Sequence, residues 1–97
     1  MARPSKLDDA TTAAWLAANP GWTREGEAIV RSFALADFGA ALGFAVRLGL
    51  VAEKKDHHPE ILVAWGKARV LWTTHDAGGL TQLDLDLAKA TDALAPP

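Results

Sequence analysis

The three histidines of this chain all lie within residues 57–75 and are the residues best suited to proton transfer. His57 and His58 are adjacent and precede Pro59, and His75 lies further along the chain. Glu53 stands four residues before His57, so a helix that continued through both would bring its carboxylate beside that imidazole. Histidine exchanges protons near neutral pH and is also the commonest metal ligand. The pattern therefore indicates a proton-transfer site or a metal site at this bend.

Simpler interpretations of the same residues stay open at this point. A solvated loop between a helix and a strand can contain His57-His58-Pro59, and a strand end can expose His75. Three histidines can bind zinc, but adjacent residues of an extended chain point to opposite sides, and no HExxH pattern is present. Glu53 favours proton transfer, because a carboxylate in the last turn of a helix is unfavourable there without a local role. We therefore expect no metal.

The composition excludes several classes of protein. The chain has 97 residues, 49% of them hydrophobic and 23% charged, which predicts one compact domain over residues 1–97. A net charge of -2 offers no basic surface to nucleic acid, and no segment is apolar over enough length to span a membrane. There are no cysteines, and residues 1–6 show no apolar signal core, so we expect a soluble cytoplasmic protein. A core this small favours self-association.

Periodicity and turn residues predict an α+β domain with the order α-β-β-α-β-β-α. Asp37 is the expected N-cap of the second helix, and Thr81 with Asp84 forms a capping box for the third. The fold class that follows is a four-stranded antiparallel sheet with three helices on one face, the other face being wet or meeting a second subunit. The predicted helices cover residues 9–18, 37–55 and 81–94, and the predicted strands cover residues 21–24, 29–35, 61–65 and 68–74.

The large apolar residues divide between the expected core and two possible contact surfaces. Phe44 and Val51 add a second apolar edge to the middle helix, which predicts contacts beyond the sheet. Trp15 and Trp72 are expected in the core. The other two tryptophans, Trp22 and Trp65, are compatible either with the core or with the wall of a pocket for a flat heterocycle.

Taken together, the spaced polar residues resemble the signature of the pterin-4a-carbinolamine dehydratases. The matching positions are Glu53, His57-His58-Pro59, Trp65, His75 and Asp84, with further agreement at Gly21-Trp22, Phe33, Asp37-Phe38 and Thr74-His75-Asp76-Ala77-Gly78-Gly79-Leu80. The resemblance implies a four-stranded antiparallel sheet with helices on one face. It also implies loss of water from 4a-hydroxytetrahydropterin, giving quinonoid dihydropterin, with pterin as the substrate and no cofactor or metal.

The resemblance also implies roles for individual residues. His57 and His75 would act as proton donor and acceptor, and His58 would bind and polarise the pterin; the order of acid and base stays open. Glu53 would orient a histidine. Around the substrate we also expect Asp56 at the rim, Trp22 against the ring, and Asp84, for which the capping role is the stronger interpretation.

A second function from a different class remains compatible with the same fold. Relatives of this family serve as transcription cofactors and as assembly factors for other enzymes, so a binding or assembly module is the alternative hypothesis. The wide apolar surface around Phe44 and Val51 motivates it. The partners expected are the pterin substrate, further copies of the chain in a homodimer or homotetramer, and an aromatic amino-acid hydroxylase in the same pathway. No nucleic acid and no membrane are expected as partners.

Overall fold

The architecture follows the predicted order of helices and strands. A computed structural model describes residues 5–97, so the interpretation of residues 1–4 lies outside the described residues. A 3-10 helix, which the sequence did not indicate, replaces part of the predicted loop after the last strand. The elements are α1 (Asp9–Ala18), β1 (Thr23–Glu25), β2 (Ala28–Ala34), α2 (Phe38–Lys55), β3 (Glu60–Ala64), β4 (Lys67–Trp72), the 3-10 helix (His75–Ala77) and α3 (Gln82–Leu94).

The strands form one antiparallel sheet in the order β1-β2-β4-β3, which confirms the predicted α+β class. Gly26 and Gly66 have φ angles of +61° and +68°, the left-handed conformation that the hairpin turns at β1–β2 and β3–β4 require. The second turn consists of Trp65 and Gly66, one residue earlier than the predicted Gly66-Lys67. β4 lies inside the sheet between β2 and β3, and its last residue, Trp72, is paired with Ile29 of β2, which suits a strand that leads into a site.

The helices cover one face of the sheet. Alternate residues of β2 and β4 point to that face, and the register pairs Ile29 with Trp72 and Phe33 with Ala68. Trp72 is fully buried, as predicted, and its indole N–H donates to Thr91 Oγ1 of α3 at 3.1 Å. The buried side chains of the helices complete the core: Phe44, Leu48, Ala52, Leu85, Leu87 and Ala88. No helix within residues 5–97 has the length and apolar character needed to cross a membrane.

Asp37 caps α2 as predicted. Its carboxylate accepts the backbone N–H of Ala40 at 2.8 Å. Replacing Asp37 with alanine leaves this donor without its partner, so we expect a loss of about 1 kcal/mol in the free energy of unfolding. Urea titration at neutral pH measures it. Asp37→Asn keeps a capping side chain and is the matched control; an equal loss in both variants would show that the cap does not stabilise the helix.

The exposed apolar surface of α2 differs from the prediction. Phe44 is fully buried and Val51 is half-buried against the core, so the proposed surface around these two residues is wrong. The helix is instead rotated so that a different row of apolar residues, spaced four apart in the sequence, faces solvent. These residues are named the α2 stripe: Phe38, Leu42, Val46 and Leu50, which are 48%, 48%, 55% and 67% exposed. The error is one of helical phase, which the contacts with the sheet decide.

Candidate active site

All three histidines meet at one cavity beyond the end of β4. The cavity has a volume of about 190 Å³ and lies between the end of α2 and the start of the 3-10 helix. Its lining residues are His57, His58, Thr73, Thr74, His75 and Asp76. Residues 18 positions apart in the chain are thus brought together by the hairpin of β3 and β4.

The end of α2 determines where His57 lies. Asp56 has a φ of 50°, a left-handed conformation that ends the helix, and the next backbone N–H, that of His57, donates to Ala52 O at 3.2 Å. This turn directs the His57 ring inward, where it stacks on Trp72 with 5.5 Å between ring centroids and 17° between ring planes. Asp56, expected at the rim of the site, acts as this C-cap and is outside the residues that line the cavity.

Asp84 is buried directly behind His57. Its Oδ1 lies 2.6 Å from His57 Nε2, and its Oδ2 accepts from the Thr74 hydroxyl at 2.6 Å and from the Thr81 backbone N–H at 2.9 Å. The capping box of Thr81 and Asp84 is confirmed. Because an ionised carboxylate can only accept hydrogen bonds, the hydrogen of the imidazole must be on Nε2. This contact fixes the tautomer and orientation of His57.

The predicted substrate contact of Asp84 requires a correction. Its side chain is fully buried, beneath His57 rather than on the cavity surface, so it can influence a substrate only through the imidazole. The buried carboxylate accepts hydrogen bonds from three donors, which hold it rigidly.

Glu53 pairs with His58 and not with His57, contrary to the helical extrapolation. Glu53 Oε1 lies 2.6 Å from His58 Nε2, and both side chains are exposed. The difference arises at Asp56, since its left-handed backbone ends the helical geometry that would have carried Glu53 to His57. The expectation that Glu53 orients a histidine therefore applies to His58, at the rim of the cavity.

His75 is presented to the cavity by a short closed loop. Thr74 and Gly79 exchange backbone hydrogen bonds of 3.1 and 3.2 Å, and the 3-10 helix lies between them. Gly78 follows with a φ of +77°, which a residue with a side chain would rarely adopt. Residues 5–97 contain no side-chain hydrogen bond or ion pair for His75, which is exposed. The loop thus holds the backbone and leaves the imidazole accessible.

Trp22 lies in the core and not at the site, so its predicted contact with the substrate is wrong. It is 2% exposed, and its indole N–H donates to both carboxylate oxygens of Asp92 at 3.1 Å. Its ring packs against Trp15 and Phe33. Trp65, the other tryptophan left open, is 75% exposed in the turn after β3 and does not line the cavity.

The sequence did not single out Thr73, Thr74 or Asp76 as site residues. Thr74 continues the buried face of β4 by alternation after Val70 and Trp72, and it directly precedes His75. A polar residue at a buried strand position beside a candidate catalytic residue was the signal that could have identified it. Within residues 5–97, no group of three or more His, Cys, Asp or Glu side chains is placed to hold a metal ion.

Comparison with known proteins agrees with this arrangement. The sequence profile of the family described as pterin 4 alpha carbinolamine dehydratase matches residues 5–94. A relative from Thermomicrobium roseum named for that activity is 42% identical over 94% of this chain and 98% of its own length. One from Rhodopseudomonas palustris strain BisB18, named likewise, is 49% identical over 93% of this chain and 91% of its own.

Two solved structures share the fold. A protein from Brucella melitensis, described as a transcriptional coactivator/pterin dehydratase, superposes with a TM-score of 0.88 at 38% identity, covering 95% of this chain and 100% of that one. A pterin dehydratase-like protein described as a RuBisCO assembly factor in the alpha-carboxysome gives a TM-score of 0.65 at 20% identity, covering 77% and 89%, and shows the fold alone. From the matching profile and these relatives, the chain belongs to the pterin-4a-carbinolamine dehydratase family.

Proposed function

We propose that this protein is a 4a-hydroxytetrahydropterin dehydratase that works by histidine acid–base catalysis. The observation that carries the proposal is the convergence of His57, His58 and His75 on one cavity, with Asp84 behind His57. Pterin is the substrate, and the reaction needs no cofactor or metal. The proposed setting is the cytoplasm, where the product re-enters the cycle that supplies an aromatic amino-acid hydroxylase.

The reaction requires two proton transfers on a single substrate. The bond between C4a and the hydroxyl oxygen breaks, that oxygen leaves as water after receiving a proton, and N5 gives up its proton as the double bond to C4a forms. Groups that titrate near neutral pH suit both transfers, and each contributes typically ~10²–10⁴-fold. His57 and His75 both line the cavity and come from different parts of the chain, the end of α2 and the start of the 3-10 helix, so they can serve the two transfers.

We assign proton acceptance to His57 and proton donation to His75. The Asp84 carboxylate, 2.6 Å from His57 Nε2, is placed to stabilise the positive charge that the His57 ring acquires when it takes a proton. His75 is exposed, so it can recover its proton from solvent after each turnover. His58 Nε2 donates to Glu53 at the rim, so Nδ1 is the ring nitrogen left for the pterin, and it donates a hydrogen bond that polarises the substrate when the ring carries both protons.

Replacing His75 with alanine is expected to lower kcat by at least ~10²-fold and to leave the thermal unfolding midpoint unchanged, because the imidazole acts on the substrate and is exposed, without a hydrogen bond or ion pair to residues 5–97. Stopped-flow ultraviolet absorbance of 4a-hydroxytetrahydropterin, generated in situ, measures the rate. If the wild-type protein fails to accelerate dehydration, the proposal is refuted. Unchanged turnover in both His75→Ala and His58→Ala would refute the assigned roles.

A protein-contact role is the second candidate, and the α2 stripe is the observation that favours it. Four large apolar side chains at intervals of one helical turn leave a continuous apolar line in solvent. Gly49 lies within this surface, and a side chain added there would meet open space, so a second helix can approach closely. We propose that the stripe pairs with the same stripe of a second copy, giving a homodimer or homotetramer. Roles in transcription or enzyme assembly would use the same surface.

A further inference from the structure

A second cavity adjoins the histidine site on the face of the sheet that the helices leave open. Its volume is about 350 Å³. Thr73 and His75 line both this cavity and the first, so the two share a wall. The other lining residues are Glu27, Ala28, Glu60, Leu71, Gly78 and Gly79.

The first cavity is smaller than most small-molecule pockets. Such pockets typically measure ~300–1,000 Å³, and the histidine cavity has about 190 Å³. A substrate whose C4a lies between His57 and His75 can therefore extend beyond it. The shared wall at His75 makes the second cavity the adjoining space that can take the remainder.

The lining of the second cavity suits a flat ring with hydrogen-bond donors along one edge. The register of β3 and β4 pairs Glu60 with Leu71, so both side chains point to the same open face. Leu71 and Ala28 supply an apolar floor. The Thr73 hydroxyl already donates to Glu27 O. Glu60 is thus the acceptor that stands beside the apolar floor.

The two carboxylates of this cavity differ in their partners. Glu27 pairs with Lys6 at 2.6 Å and with Arg24 at 3.3 Å, and the hydrogen bond from Lys6 is the main cause that holds the pKa of Glu27 below its usual value. Glu27 also lies against Gly79, where a side chain would collide with it. Glu60, in contrast, has no hydrogen-bonding or ion-pair partner for its carboxylate within residues 5–97. Its negative charge remains available to a ligand.

We propose that the second cavity binds the pyrimidine end of the pterin, with the Glu60 carboxylate accepting hydrogen bonds from N3–H and the 2-amino group. Two parallel donors match two carboxylate oxygens, the geometry of a bidentate pair. The C6 side chain then points away from Glu60. This inference rests on the proposed function and makes Glu60 a residue that determines specificity. A cation is a poorer occupant, because Glu27, Glu60 and His75 do not form a metal-holding group within the described chain.

The test compares three ligands by isothermal titration calorimetry with the full chain. The ligands are 7,8-dihydropterin, 7,8-dihydrobiopterin, which adds the C6 side chain, and 7,8-dihydrolumazine, which has oxygen in place of the 2-amino group. Glu60→Gln is expected to weaken binding of both pterins at least ~10-fold, since hydrogen bonds to a charged acceptor are the stronger kind. It should not weaken lumazine binding, because glutamine can accept from the N3–H that lumazine keeps and can donate to the oxygen at position 2. Asp86→Asn makes the same chemical change on the exposed side of α3 and is the control.

The other outcomes separate this inference from the proposed function. Equal affinities in wild type and Glu60→Gln, with dehydration intact, overturn the role of Glu60 and leave the dehydratase proposal standing. A loss confined to 7,8-dihydrobiopterin places the C6 side chain in the second cavity and overturns the proposed orientation. Failure of the wild type both to bind the pterins and to accelerate dehydration removes the proposed function, and this inference with it.

Discussion

Asp84→Asn is expected to lower kcat/KM by about 10³–10⁴-fold while the protein still folds. Asparagine keeps one acceptor oxygen for Thr81 N–H and the Thr74 hydroxyl, and it then presents its amide hydrogens to His57 Nε2. The imidazole must accept there, so its own hydrogen moves to Nδ1. A histidine held in the wrong tautomer by this change loses activity on that scale, and the imidazolium also loses its stabilising negative charge.

The rate in stopped-flow absorbance and the midpoint of urea unfolding are measured on the same preparations. Asp86→Asn, two residues along α3, is the matched control, because it makes the same substitution at an exposed carboxylate that accepts from Gln82. A folded Asp84→Asn variant with turnover within threefold of wild type would contradict the assignment of His57. Thr74→Val removes the hydroxyl that donates to Asp84 Oδ2 and also contacts Thr81 Oγ1, while the Thr81 backbone N–H still donates to Asp84, so it should give a smaller loss in the same direction.

Placing lysines at Val46 and Leu50 is expected to dissociate the proposed homo-oligomer, raising its Kd by at least ~100-fold. These two are the most exposed residues of the α2 stripe, and burying an ammonium group against an apolar partner surface costs several kcal/mol. Because both side chains point away from the core, the fold and the histidine cavity should be unaffected. Sedimentation velocity at micromolar concentration measures the molecular mass, and the dehydration rate reports on the site.

The control for this prediction changes the other exposed apolar residues. Leu62 and Trp65 are 51% and 75% exposed, on the edge strand β3 and its turn. The double variant Leu62→Lys/Trp65→Lys adds the same charge and should remain associated. If only the Leu62→Lys/Trp65→Lys variant dissociates, the interface lies at the sheet edge and not at the α2 stripe. A wild-type chain that sediments as a monomer would contradict self-association through either surface.

The parts of the fold that could be predicted are those with local signals. Asp37 and the pair Thr81–Asp84 marked helix starts because a cap involves residues only three positions apart. The alternation of β2 and β4 marked the strands. The histidines of the site were identified by their chemistry and by a resemblance, and the hairpin then brought them together as expected.

The errors share a physical cause, which is dependence on distant contacts or on a single backbone angle. Trp22 is held in the core by Asp92, 70 residues further along the chain, and no local pattern reports that hydrogen bond. The left-handed Asp56 redirects Glu53 from His57 to His58. The phase of α2, which buries Phe44 and exposes Leu42, depends on how the helix lies against the sheet.

Asp84 has two roles, as a cap of α3 and as the partner of His57, and this affects which signature residues indicate catalytic activity. The same carboxylate caps the start of α3 and binds His57, so both residues contribute to the stability of the fold whether or not the protein is catalytic. His75 has no such structural role, because its imidazole makes no hydrogen bond or ion pair within residues 5–97. A homologue without catalytic activity could therefore keep Asp84 and His57 and replace His75 without losing stability. His75 is therefore the residue that best distinguishes an active enzyme from a relative that keeps the fold without the catalytic activity.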